Sequence, residues 1–153
     1  INIFNKGFNI ADELSDLKIK EECYFEIGNI YAENKNFNSA IENYKKSLDI
    51  SYSLNDLEAT ANNLIILGEI YLKMEEYDSA IENYKQAIEI GRSLKYKNAT
   101  AGCLESIAYI YQKKGDLLKA IQAIEESIEL FKTVNDQQKI AELEKILFKW
   151  KIE

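Results

Sequence analysis

The sequence predicts an all-α fold of stacked, antiparallel helix pairs, and three observations carry that prediction. The string Ser39-Ala-Ile-Glu-Asn-Tyr-Lys45 recurs unchanged as Ser79-Ala-Ile-Glu-Asn-Tyr-Lys85, a shift of 40 residues. The same lag relates Gly28 to Gly68, and Tyr31 to Tyr71 and Tyr111. No Pro occurs among the 153 residues, so no helix is interrupted from within. A fixed period of this length marks an architecture in which each unit buries its neighbour's apolar face.

Cys23, Tyr24, Ile27, Ile30 and Tyr31 fall on one stripe at gaps of three and four, which predicts a first helix over 19–33. Asn34-Lys35-Asn36 breaks that pattern with turn chemistry. A second helix over 37–54 carries Ala40, Ile41, Tyr44, Leu48 and Ile50, and Asp56 is placed to cap the next one. The second unit repeats this over 59–73 and 77–94, the third over 98–113 and 117–134. In the third, Gly115 permits a left-handed turn and Asp116 caps the second helix of the pair.

Both chain ends hold half a motif. Phe4, Gly7, Ile10 and Leu14 align at lag 40 with Tyr44, Ser47, Ile50 and Leu54, so residues 1–15 read as the second helix of a truncated preceding repeat. Residues 137–153 carry Ile140, Leu143, Ile146, Leu147 and Trp150 at helical spacing. There bulky Phe148 replaces the small Gly28, Gly68 and Ala108, which predicts a C-terminal capping helix. The repeats between are expected at 18–57, 58–97 and 98–136, one domain overall. The start without Met and in mid-motif reads as a piece of a longer protein.

Composition narrows the function. The apolar fraction of 46% is that of a globular chain. With 26 acidic against 19 basic residues the net charge is −7, and no Lys/Arg block stands out, which argues against nucleic acid and for a basic partner. No His is present to bind zinc or serve a triad. No apolar run has membrane-spanning length, and Ile1-Asn2-Ile3-Phe4 lacks a signal-peptide layout. Cys23 and Cys103 stand two repeats apart, on the order of 20 Å at ordinary helix spacings and beyond disulfide reach. They read as buried small side chains in a reducing, cytoplasmic compartment.

The recurring residues resemble a known motif. Tyr24-x₂-Ile27-Gly28-x₂-Tyr31…Ala40-x₃-Tyr44, Leu64-x₂-Leu67-Gly68-x₂-Tyr71…Ala80-x₃-Tyr84 and Leu104-x₂-Ile107-Ala108-x₂-Tyr111…Ala120-x₃-Ile124 are similar to the tetratricopeptide-repeat signature. Gly or Ala admits the paired helix, Tyr31, Tyr71 and Tyr111 fill the gap beside it, and Ala40, Ala80 and Ala120 mark the crossing. The chain departs from the family's period of about 34 and lacks its closing Pro. The extra residues are expected to lengthen the second helix by more than a turn. By period it resembles the 40-residue subclass found in bacterial peptide-sensing regulators and in eukaryotic polarity and motor adaptors.

The resemblance implies a right-handed superhelical solenoid whose first helices line a concave groove for an extended peptide or a helix. The expected groove residues are Glu22, Phe25, Glu26 and Asn29 in the first unit, Asn62, Ile65, Glu69 and Lys73 in the second, and Glu105, Tyr109 and Gln112 in the third. The groove is acidic with apolar floor patches. Asn29 and Asn62 either grip a peptide backbone through both amide atoms or are merely solvated. Phe25 and Ile65 either touch ligand or pack on the neighbouring unit. Phe25, Glu26, Ile66, Gly102 and Ser106 stand where a C-terminal-carboxylate clamp needs basic and amide groups, so a chaperone-tail adaptor is not expected.

The sequence therefore predicts a non-catalytic scaffold that binds a protein or peptide segment, basic or amphipathic, within a larger intracellular protein. The alternative is a peptide-sensing region of a bacterial signalling or transcription regulator. Convergence of Glu22, Glu26, Glu69 and Glu105 for acid–base work or for calcium finds no loop, Asp cluster or phosphate cradle behind it, so no enzyme, metal or cofactor is expected. An apolar face at Phe4, Phe8 and Ile10 is expected to self-associate if nothing covers it.

Overall fold

The computed structural model describes residues 16–152, and the reading of Phe4, Phe8, Ile10 and the first 15 residues lies outside them. Seven helices are described: α1 Leu17–Glu33, α2 Phe37–Ser53, α3 Leu57–Lys73, α4 Tyr77–Ser93, α5 Lys97–Lys113, α6 Leu117–Val134 and α7 Gln137–Ile152. Each begins 20 residues after the last. The first five are 17 residues long. The expected lengthening of the second helix in each pair is therefore wrong: both members of the first pair share the added residues equally. Helix α1 also starts two residues before the expected position 19, because Asp16 Oδ1 accepts from the backbone N of Lys18 at 3.0 Å and of Ile19 at 3.1 Å.

The turns share one geometry. Lys35, Asn55, Glu75, Lys95, Gly115 and Asn135 all have positive φ, between 52° and 78°. Each is followed by a backbone N–H that reaches back across the helix end, as Asn36 N does to Tyr31 O at 2.9 Å and Asp116 N to Tyr111 O at 2.9 Å. Where the next residue is Asn or Asp its side chain caps the following helix: Asp56 accepts from Ala59 N at 3.0 Å, and Asp116 from Lys119 N at 3.2 Å. The sequence predicts a left-handed residue only at Gly115; the others adopt that conformation without glycine.

The helices form two compact units, divided between Glu76 and Tyr77. In the first, α1 and α3 each pack on α2. Ala40, Tyr44, Leu67 and Ile70 form its centre, with Phe25, Tyr31, Phe37, Ile41, Leu48, Ile66, Tyr71 and Met74 against it. Gly28 is required there: a Cβ on it would lie 2.8 Å from Tyr44 Cε1. In the second unit α4 packs on α5, α5 on α6 and α6 on α7. Its core takes Ala101, Leu104, Ala108 and Ile110 from α5, Ala120 and Ile124 from α6, and Leu143 from α7. Phe148 is 68% exposed. Ala40, Ala80 and Ala120 are completely buried, as the motif required.

Candidate functional site

The face of the first unit is built from α1 and α3. Helical spacing brings Glu22, Phe25, Glu26 and Asn29 to one side of α1, and Asn62, Ile65, Glu69 and Lys73 to one side of α3. Glu22, Glu26, Asn62, Glu69 and Lys73 are exposed, whereas Phe25, Asn29 and Ile65 are half-buried. Phe25 meets the Tyr44 ring edge-on at 5.5 Å and packs against the core, so it belongs at least in part to the fold.

Asn29 is also engaged. Its Oδ1 accepts from the Tyr44 hydroxyl at 2.5 Å, and its Nδ2 donates to Glu26 Oε2 at 3.3 Å. A two-atom grip on a peptide backbone at Asn29 would have to use the second lone pair of Oδ1 and the second hydrogen of Nδ2, beside the Tyr44 and Glu26 bonds. Asn62 is exposed and makes no such side-chain bond among the described residues. Burial pushes the Tyr44 hydroxyl up to about 12, with the Glu26, Glu69 and Glu33 carboxylates adding to the effect. Two carboxylates of α1 and one of α3 thus act on a single buried phenol.

The second unit treats its residues differently. Glu105 of α5 is half-buried and receives Lys139 Nζ of α7 on both oxygens, at 3.1 and 3.0 Å. Tyr109 is 47% exposed, with Lys113 Nζ 5.3 Å from its ring centre. Gln112 is exposed. Ser106 Oγ turns back to Gly102 O at 3.1 Å, and the space a Cβ on Gly102 would take is open.

Sequence reasoning passed over a buried polar group under the first face. Glu21 of α1, Ser47 of α2 and Asn63 of α3 are all buried. The repeat itself carries the signal: Glu21 stands where later units have Ala61 and Ala101, and Asn63 where others have Cys23 and Cys103. The two cysteines are buried thiols outside any disulfide, as expected. No helix among the described residues is long and apolar enough to cross a membrane.

The chain matches the tetratricopeptide repeat family over residues 20–93 and again over 59–133. No curated protein matches it by sequence. Among solved structures, the apo form of RapI is similar with a TM-score of 0.80 at 17% identity, over 97% of this chain and 57% of that one. A signal transduction ATPase with numerous domains and a tetratricopeptide repeat sensor, from Pyrococcus horikoshii, gives 0.79 at 21% identity, over 92% and 22%. The N-terminal domain of stress-induced protein-1 from C. elegans gives 0.71 at 18% identity, over 85% and 96%. These likenesses are of fold. With the motif in each repeat, the Ala40 and Gly28 crossings and the family match, the chain belongs to the tetratricopeptide-repeat family of protein-interaction modules.

Proposed function

We propose that the chain binds a basic or amphipathic peptide segment of a partner protein on the exposed faces of its first helices, as a non-catalytic module of a larger cytoplasmic protein. The observation that carries this reading is the make-up of the α1/α3 face. Exposed Glu26 of α1 and Glu69 of α3 stand on the same side as the half-buried Phe25 and Ile65, which gives a negative face around an apolar floor. Such a face attracts a cationic side chain while its apolar floor takes an aliphatic or aromatic one. Glu22, Asn62 and Lys73 line its edges, and Tyr109 and Gln112 offer a separate face on the second unit. Glu105, held by Lys139, contributes only by giving up that ion pair. The buried thiols Cys23 and Cys103 suit a reducing cytoplasm.

Selection of a random peptide display library against the whole chain tests this reading. The expected result is enrichment of Lys- and Arg-bearing sequences that lose binding to a Glu26→Lys/Glu69→Lys variant. Enrichment of acidic sequences, or equal capture by both proteins, would overturn it.

A second reading, a peptide-sensing region of a bacterial regulator, is favoured by the likeness to the sensor-bearing ATPase. A ligand that changes the structure of both units would support it; one that leaves them unchanged would support simple tethering.

A further inference from the structure

Beneath the α1/α3 face lies a polar cluster that the repeat does not need for packing. Glu21 is 4% exposed, and Ser47 and Asn63 are completely buried. Ser47 Oγ donates to Glu21 Oε1 at 2.7 Å. Asn63 Nδ2 donates to Ser47 Oγ at 3.0 Å and to Ala59 O at 3.0 Å, and lies 3.5 Å from Glu21 Oε1. Lys18 Nζ closes the set, donating to Glu21 Oε2 at 3.1 Å and to Asp56 Oδ2 at 2.8 Å. Asn63 Oδ1 is buried without a hydrogen-bond partner among the described residues.

A buried carboxylate beside an incompletely bonded amide is costly compared with apolar packing. The second unit shows the apolar alternative. Two repeats on, the places of Glu21, Ser47 and Asn63 hold Ala101, Ser127 and Leu143. Ala101 and Leu143 are completely buried, and Ser127 Oγ donates to Ala101 O at 3.0 Å. The same fold therefore fills this position without charge.

What the polar version adds is direction. Helices α1 and α3 each pack on α2, and the Glu21–Asn63 and Lys18–Asp56 contacts tie them to each other. Hydrogen bonds demand one spacing, whereas interchangeable apolar contacts lose uniqueness before they lose stability. Glu21 and Asn63 are also the immediate neighbours of Glu22 and Asn62 on the face above.

We propose that Glu21, Ser47 and Asn63 are positioning residues, a polar latch that fixes the separation of α1 and α3 and thereby the geometry of the face they carry. Its functional meaning rests on the binding reading; its geometry does not.

The test uses the full chain and no ligand, so its outcome is separable from that of the binding reading. Spin labels at Glu33→Cys and Lys73→Cys, in a Cys23→Ala/Cys103→Ala background, report the α1–α3 distance by pulsed electron resonance. The Glu21→Ala/Asn63→Leu variant reproduces Ala101 and Leu143 and leaves Ser47 to act as Ser127 does. The expected result is an unchanged or higher melting temperature with a distance distribution roughly twice as wide. A distribution as narrow as that of the parent would overturn the proposal, because apolar packing would then suffice to set the spacing. If the double variant does not fold, Asn63→Ala alone carries the test: a broadened distribution supports the latch, and an unchanged one overturns it.

Discussion

Tyr44 occupies the space that a side chain on Gly28 would need. A Cβ there would lie 2.8 Å from the Tyr44 Cε1 atom and 2.9 Å from Cδ1, and both residues are buried. This contact explains why the first repeat pairs Gly28 with Ala40-x₃-Tyr44, and why the tyrosine hydroxyl emerges beside Asn29.

Gly28→Ala should therefore destabilise the chain by about 1–3 kcal/mol, since the ring has to move in a close-packed core. Gly102→Ala is the control. It meets open space in the middle of α5, where exchanging Gly for Ala favours the helix by up to about 1 kcal/mol. Urea denaturation of the two variants should move in opposite directions.

The turns offer a second contrast. Lys95 and Gly115 share a left-handed backbone, at φ 60° and 78°. Lys95→Gly should stabilise, and Gly115→Ala should destabilise by about 1–2 kcal/mol, since the left-handed conformation strains any residue with a Cβ. A Cβ at Gly115 meets nothing within 4 Å, so the second effect is one of backbone alone. Thermal unfolding reads both changes.

Helix α5 is capped less well than its counterparts. Its N-cap Tyr96 makes no side-chain cap bond, whereas Asp56 at the same place before α3 accepts from Ala59 N. Tyr96→Asp should raise stability by about 1 kcal/mol through a new bond to Ala99 N. Because Tyr96 is 42% exposed, little packing is lost, and a lower melting temperature would show that its ring matters more than the cap.

Alkaline pH should expose the burial of Tyr44. Its hydroxyl titrates at about 12 in the folded chain, raised by burial and by Glu26, Glu69 and Glu33. An unfolded tyrosine titrates at about 10, so below that pH neither state ionises and stability is constant. As pH rises from about 10 to about 12 only the unfolded chain releases this proton, and stability falls by about 1.4 kcal/mol for each unit of separation. Denaturation midpoints should drop more steeply with pH for the wild type than for Tyr44→Phe. Parallel slopes would show that Tyr44 titrates normally.

Most of the fold was legible because its signals are local and repeated. The apolar stripe, Asp56, Gly115 and Asp116 located helices and turns to within two residues, and Gly28 identified the close crossing. The equal helix lengths were missed because period alone does not say where added residues go. The exposed side of α1 and α3 was also legible, since helical spacing decides it. What the side chains on that face bond to was not. The engagement of Asn29 depends on the depth at which the Tyr44 hydroxyl emerges from α2, and that of Glu105 on Lys139 reaching across from α7. Glu21 and Asn63 escaped notice because a polar residue on an otherwise apolar stripe resembles an ordinary interruption until its partners are known.

Binding of a cationic peptide to the α1/α3 face is tested most directly by amide chemical-shift mapping of the whole chain, titrated with the most enriched Lys-bearing library peptide. Saturable shifts are expected at Glu22, Phe25, Asn62 and Ile65. They should weaken as salt rises, because exposed charges are screened beyond about 10 Å at 0.1 M. Shifts confined to α2, or an affinity indifferent to salt, would contradict the proposed binding mode.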